Sequence, residues 1–563
     1  MWLKDKYDSL KKKASSIKKE IFKWLKRLFL YSVLGIVVIS ISHYVFLKLG
    51  FLHTDIDSAR YMLSALVQGE AAIVALVVTL SLVAVQLAAQ SYSARVIEVF
   101  RKAPDLWILM GIYGIAIFYG LLVLKLIDTV NPQLCAKEYI CISNLEGYIS
   151  LAYYFGVFSF VALVPYILKI FDMLDPIKLI DILKEEITQE NILSGNENGK
   201  RSPLPPIIEI INGALERYDY EIFNIGLDRI SERAKFIFEN SDSSRVSDYF
   251  FENLVIVGKL AVNRKDEKAA FDVIYNMQEI SETLTERGFD TVTASYFEKI
   301  GILATENGME DIVIEIIDSL EKIGASTINK ELLYSTENVV KSFENLQEKI
   351  LKTDFKNAPR KLIRSLSNIG ESSIKNKKIP DEITWNIIDC LNNLKIPAIE
   401  LRIPEILIHN FRKIAEAIVI NKSEDIFKIT SDILSIQKLV YKIGLYELCD
   451  KVTQVIIIDL KFIGIYSIRK HRKGVSIDIV KSIKHAGIKA IEHNIDASYL
   501  SPSYLSQLGE ITIEEKQYEL TKLIIEHLHE IQKKANECKS ELTEETAEDG
   551  INKLNNLLSN QKK

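Results

Sequence analysis

Cysteine is scarce in this sequence: five residues in 563. That excludes a disulfide-built scaffold and a multi-zinc protein. Proline and glycine are sparse too, at 12 and 24 residues, which excludes a low-complexity chain, while a hydrophobic fraction of 48% excludes a disordered one. Neither sign of charge dominates. Seventy Lys and Arg against 75 Asp and Glu leave a formal net charge of -5, so the basic footprint of a dedicated nucleic-acid binder is missing and no nucleic-acid partner is expected. Catalytic signatures are missing as well: no Gly-x-Ser-x-Gly, no His-Glu-x-x-His, no kinase or EF-hand pattern, and no glycine in a nucleotide-loop context. The eight histidines are scattered, and His527 and His529, two apart, fall on different faces of a helix. No catalytic residue, metal ligand or cofactor is therefore assigned, and the expectation is that the protein is not an enzyme.

What the chain does have is four long apolar runs, Phe29–Leu47, Ala71–Ala89, Leu106–Ile127 and Tyr148–Ile170. As helices they reach about 28–34 Å at ~1.5 Å per residue, against a bilayer core of ~30 Å. Charge is split along the chain: residues 1–180 hold 19 Lys and Arg against 13 acids, and residues 181–563 hold 51 against 62. Residues 1–27 alone hold ten Lys and Arg, and Arg95, Arg101 and Lys102 follow the second run. Positive residues stay on the cytoplasmic side, so both termini are expected in the cytoplasm of a plasma (inner) membrane. The first 28 residues form a basic amphipathic helix whose lysines, among them Lys11, Lys12, Lys13, Lys18 and Lys19, suit anionic headgroups; a coiled coil between copies is the alternative. Cys135 and Cys141 share the second outer loop, as a disulfide or as two free thiols.

The second run is the least generic. Thr79, Gln86, Gln90 and Ser93 are spaced seven, four and three apart and share one helix face. Such a stripe either lines a water-filled path between copies or holds the bundle together by interhelical hydrogen bonds. Glu70 precedes this run, at its expected outer mouth, either as a cation entrance or as a solvated carboxylate. The stretch from Val77 to Ala88 (Val-Val-Thr-Leu-Ser-Leu-Val-Ala-Val-Gln-Leu-Ala), then Ser91-Tyr92-Ser93-Ala94-Arg95-Val96 and Leu121-Leu122-Val123-Leu124, resembles a prokaryotic family of predicted membrane proteins, "domain of unknown function twenty-two fifty-four". Gln86, Ser91, Ser93 and Arg95 carry its motif, and the resemblance covers about residues 1–175. It implies a multi-span membrane protein and no particular reaction.

Beyond the linker at residues 194–206 the chain reads as a ladder. An apolar–x–x–apolar–small pattern recurs, as in Phe297-Glu-Lys-Ile-Gly301 and Leu460-Lys-Phe-Ile-Gly464. Its small positions include Ser231, Gly258, Ser281, Gly301, Gly324, Gln347, Gly370, Lys395, Ala415, Gly444, Gly464, Gly487 and Gly509, mostly about 20–25 residues apart. Two such helices make a unit of about 45 residues, the range of two-helix repeats. Mid-helix glycine costs about 1 kcal/mol against alanine, which close helix crossings would offset.

The expected architecture is all-α: a basic helix (1–28), a four-helix transmembrane domain (29–175), a connecting helix and linker (176–206), a cytosolic α-solenoid of helical hairpins (207–535) and an acidic, amphipathic tail (536–563). The expected function is that of a membrane receptor or scaffold whose repeats bind an unknown cytosolic protein or ligand. The alternative is an oligomeric ion channel or pore lined by the second span and gated by the repeats. The lipid bilayer and further copies of the chain are the other expected partners.

Overall fold

The computed structural model describes residues 2–49, 56–91, 104–129, 142–194, 204–240, 245–421, 426–443 and 446–561, with the backbone alone at 2–21, 23, 56, 88–91, 128–129, 142–144, 173, 194, 245, 426–427 and 561. Among them, all regular structure is helical. The chain divides into two compact units, Met1–Ile187 with Pro203–Gly226, and Thr188–Ser202 with Leu227–Lys563.

The first unit is built on α1 (Trp2–Leu49), α2 (Ile56–Ser91), α3 (Pro104–Thr129) and α4 (Ile142–Leu174). Each contains a stretch long and apolar enough to cross a membrane: Trp24–Leu49, Asp57–Leu87, Pro104–Ile127 and Leu145–Asp172. α4 packs against α1, α2 and α3, and α2 also packs against α3. The core falls into two apolar clusters, one around Tyr31, Val77, Leu109, Phe158 and Ala162, the other around Ala59, Leu63, Val123, Ile149 and Ala152. Glycine sets the approach of α2: a Cβ on Gly156 would stand 2.7 Å from a methyl of Leu66, and one on Gly120 2.6 Å from Val67. The outer surface is apolar, with Leu80, Leu82, Phe118, Leu121, Phe160 and Val164 exposed, as a lipid-facing surface requires. The basic segment and the first span are one continuous helix, without a break near residue 28. The side chains of Lys11, Lys12, Lys13, Lys18 and Lys19 lie outside the described residues, as do Cys135 and Cys141.

The second unit is a series of helical repeats. The helices α5 (Pro176–Glu186) and α7 (Leu204–Glu216) still belong to the first unit, and α6 (Gln189–Ser194) and most of α8 (Tyr220–Glu239) to the second, which continues with α9 (Arg245–Asn263), α10 (Glu267–Glu286), α11 (Thr293–Glu306), α12 (Glu310–Asn329), α13 (Leu333–Ile350), α14 (Ala358–Lys375), α15 (Asp381–Asn392) and the short α16 (Lys395–Glu400). The series closes with α17 (Pro404–Asn421), α18 (Ile426–Ile443), α19 (Tyr446–Arg469), α20 (Lys473–Glu492), α21 (Leu500–Glu514), α22 (Tyr518–Glu537) and α23 (Glu541–Gln561). Alternate helices pack in two rows. One row runs α10, α12, α14, α17, α19, α21, α23; the other holds α9, α11, α13 and α15, then α18, α20 and α22.

The ladder glycines sit where helices cross. A Cβ on Gly301 would lie 2.8 Å from Leu346 two helices on and 3.0 Å from Ile316 on the next helix. Gly324 meets Ile369 and Val339 in the same way, and Gly464 meets Leu508 and Ile479. Bridges between successive repeats return at a constant interval: Asn345 to Glu298, 47 residues apart, Gln347 to the Cys390 carbonyl, 43 apart, and Gln437 to the Ala486 carbonyl, 49 apart. One ladder position departs from the expected pattern and another is not described. Lys395 opens the short α16 and pairs with Asp432 at 2.7 Å instead of lying mid-helix, and Gly444 lies outside the described residues. The tail forms α23, which buries Ala547, Ile551 and Leu554 against α21 and α22.

The hairpin turns share one geometry. Lys265, Glu331, His471, Lys516 and Lys539 adopt φ between 51° and 60°. The amide of the following residue reaches back to a carbonyl in the helix just ended, as Asp266 N to Ala261 O at 3.0 Å and Leu332 N to Thr327 O at 2.9 Å. This is the Schellman closure. A buried hydroxyl pair then joins the two helices of several hairpins: Ser281 with Thr293 at 3.2 Å, Thr327 with Thr336 at 3.1 Å and Thr512 with Thr521 at 2.8 Å.

Candidate functional site in the membrane-spanning unit

The α2 span begins at Asp57, fourteen residues before the expected run, because Asp57, Arg60, Ser64 and Gln68 interrupt its apolar sequence without ending the helix. This moves Glu70. It does not lie solvated at an outer mouth; it stands near the middle of the Asp57–Leu87 span with 1% of its surface exposed. The close approach of α4 at Gly156 and of α3 at Gly120 closes the protein around it.

One hydroxyl meets the carboxyl group. Ser159 Oγ, fully buried near the middle of the fourth span, lies 3.1 Å from Glu70 Oε1 and 2.8 Å from the carbonyl of Gly156. Tyr113 of α3, 1% exposed, stands beside Ser159 and Glu70, and its buried hydroxyl interacts with Ser159 without reaching the geometry of a full hydrogen bond. The three residues form a polar node between the two apolar clusters, contributed by three helices. Other polar contacts are spread along the unit. Arg27 and Asp105 pair at 3.6 Å near the start of the first and third spans. Ser81 is hydrogen-bonded to the Tyr166 hydroxyl, and His43 Nδ1 to that of Tyr154 at 3.0 Å. The Tyr31 and Tyr153 hydroxyls are buried without partners.

The stripe is divided between described and undescribed residues. Thr79 is exposed on the outer surface of the unit, and its hydroxyl donates to the Ala75 carbonyl of its own helix at 2.8 Å. Gln86 is exposed as well. The Gln90 and Ser91 side chains, and Ser93 and Arg95, lie outside the described residues. Neither Thr79 nor Gln86 makes a hydrogen bond to another helix of this chain within the described residues.

The repeat unit holds a buried ionic cluster of its own. Arg412 of α17 donates to Asp459 of α19 at 2.7 Å and lies 3.2 Å from Glu416. Burial pushes the carboxyls of Asp459 and Glu416 above their ordinary range, against the opposing pull of Arg412. Burial lowers the neighbouring His409. This cluster joins two repeats, and among the described residues no group of three His, Cys, Asp or Glu side chains is placed to hold a metal ion.

Residues 24–208 match a family described as "Predicted membrane protein (DUF2254)". All four spans and the Glu70 node fall inside that match. With the four apolar helices, it makes this a membrane protein with a helical-repeat region beyond the family's boundary. No curated protein matches the chain. Among solved structures, a "Circular tandem repeat protein with novel repeat topology and enhanced subunit contact surfaces" aligns over 68% of this chain and 96% of its own, with 15% identity and a TM-score of 0.39. That score is too low to support an argument about fold.

Proposed function

We propose that this protein is a membrane-anchored receptor or scaffold of the plasma (inner) membrane, with both termini in the cytoplasm. Its repeats wind as a cytosolic α-solenoid that binds a protein or other cytosolic ligand and reports to the spans. It is a binding and coupling protein rather than an enzyme. The observation that carries this reading is the flank of one helix row. Gln278 to Ser319, Glu321 to Ser365, Arg412 to Asp459 and Glu510 to Lys553 link successive helices of that row, and Lys235 of α8 reaches Glu279 at its start. Aromatic rings stand among these bridges: Tyr275 bonded to Glu279, Phe462 under Arg412 and Tyr504 under Lys461. Aromatic and arginine side chains are enriched where proteins bind one another, and stacked repeats present them along an extended surface. Four spans put both ends on one side, that of the ten Lys and Arg in residues 1–27.

The test is photocrosslinking in the native membrane from Tyr275 and Phe462, compared with the exposed Tyr334 and Tyr518 on the other row. A discrete adduct confined to the first pair supports the reading, and equal labelling from both rows counts against it.

A second reading, an oligomeric channel, is favoured by Thr79 and Gln86 alone. Polar side chains on a lipid-facing surface call for a protein or water neighbour, which a second copy would supply. Ion flux through liposomes that is lost in Gln86→Leu/Gln90→Leu would establish the channel. A monomer in the membrane would count against it, because one polar helix encloses no path.

A further inference from the structure

We propose that the node of Glu70, Ser159 and Tyr113 is a proton-binding site in the middle of the membrane, holding a proton on Glu70 at rest and prepared to release it. The inference is independent of what the repeat unit binds. It starts from a count of hydrogens. Ser159 Oγ carries one proton and faces two acceptors, Glu70 Oε1 at 3.1 Å and Gly156 O at 2.8 Å. An ionised Glu70 would have to draw that single proton from the shorter of the two contacts, and with 1% exposure it would have no water to replace it. A carboxylic acid removes the conflict. Its O–H donates to Ser159 Oγ, Ser159 donates to Gly156 O, and each hydrogen has one acceptor.

The second half of the device is the Tyr113 hydroxyl, buried beside the pair and close to Ser159 without a well-formed hydrogen bond. An unsatisfied buried O–H is a cost in the resting state. It becomes a second donor once the carboxyl loses its proton and Ser159 turns its own toward the carboxylate. The proton that leaves Glu70 is taken up by bulk water, which reaches the node only when the packed helices part, and no other bond is made or broken. The remaining ionisable groups on the packed helices stand apart. Asp57 and Arg60 lie at the start of the α2 span, Asp105 and Lys125 at the ends of the α3 span, and Glu146, Lys169 and Asp172 at the ends of the α4 span. Tyr119, Tyr148, Tyr153, Tyr154 and Tyr166 lie at least a helical turn from Tyr113 or Ser159 along the sequence, and His43 of α1 is bonded to Tyr154. Among the described residues no fixed cation faces Glu70, so its charge state follows the proton.

The test uses the full-length protein in liposomes with dicyclohexylcarbodiimide, which attacks carboxylic acids in apolar surroundings, and maps the adduct by mass spectrometry. The expected result is modification of Glu70 that falls severalfold from mildly acidic to mildly alkaline buffer. In Tyr113→Phe the fall shifts to higher pH, because the ionised form has lost its second donor. Infrared difference spectra provide a readout that needs no reagent access: the carboxylic-acid carbonyl band should be present in wild type and missing in Glu70→Gln. An identical band in Glu70→Gln, or one that persists unchanged at alkaline pH, would overturn the proposal. Labelling suppressed by sodium but not by choline at one pH would also overturn it and put a sodium ion in the proton's place.

Discussion

The membrane-spanning unit and the repeat unit bring helices together by the same means and differ in how their buried hydroxyls are matched. In both, glycine admits a neighbour's side chain: Gly156 receives Leu66 in one, and Gly301 receives Leu346 in the other. In the repeats several buried hydroxyls come in pairs, such as Thr512 with Thr521, and charges bridge one repeat to the next, although buried atoms such as Gln347 Oε1, Asn410 Oδ1 and His527 Nε2 stay without a hydrogen bond there too. In the membrane unit the buried hydroxyls of Tyr31, Tyr113 and Tyr153 make no well-formed hydrogen bond, and a carboxyl group shares one donor. A water-exposed repeat can satisfy a polar group with almost any neighbour. A group left unsatisfied between spans, where desolvation is most costly, calls for an explanation, and at Glu70 the proposed release of a proton supplies one.

Several substitutions break or sharpen this contrast, taken from the largest expected effect. Gly301→Val should cost about 3 kcal/mol, because its new carbons press on the methyls of Leu346 and Ile316, both fully buried in the packed core. Urea unfolding of the full chain followed by circular dichroism measures it. Asp459→Ala leaves Arg412 inside the protein without its partner. About 2 kcal/mol is expected, less than for a fully buried pair because Arg412 keeps 20% exposure. The exposed Lys553–Glu510 bridge, at 2.7 Å, should by contrast be worth under about 1 kcal/mol. Thr512→Val removes one half of a hairpin's hydroxyl pair and should lower stability by about 1 kcal/mol. Tyr31→Phe deletes a hydroxyl that has no partner and should change the melting temperature little or raise it. If Tyr31→Phe destabilised as much as Thr512→Val, the contrast between the two units would fail.

The last prediction concerns pH. Burial raises the Glu416 carboxyl above its ordinary value of 4.5. Its contribution to stability is therefore complete below that value and declines as pH rises through the higher value of the folded state. Glu416→Gln should stabilise at neutral pH and lose that gain in acid, which thermal melts at the two pH values would compare.

The reach of the sequence differed between the units for a physical reason. The spans were legible because lipid demands unbroken apolar runs. Even so, Glu70 was read as a boundary, since a charge at the edge of a run ordinarily lies in water and one sequence does not show that Ser159 lies across from it. The extent of α2 was hidden for the same cause, with Gln68, Ser64 and Arg60 continuing a helix that looked finished. In the repeats, the period was legible from glycines such as Gly324 and Gly464. The turns were not. Left-handed residues are commonly glycine, yet here Lys265, Glu331 and Lys516 take that conformation, while the glycines of the ladder sit mid-helix where side chains crowd. The polar stripe could be read only as a helix face. Its partner, a second copy or lipid, is not encoded in the order of residues.

The interval between bridges has a consequence for how this chain comes into being. Contacts that tie one repeat to the next, such as Asn345 with Glu298 and Ala497 with Asp450, span 47 residues. Few long loops therefore have to close before a repeat gains its neighbours, and low contact order of this kind favours rapid folding. As the chain leaves the ribosome, each hairpin can dock on the one before it while the spans, made first, are already being inserted. Apolar faces of late repeats then stay uncovered only for the time it takes to synthesise about one more repeat.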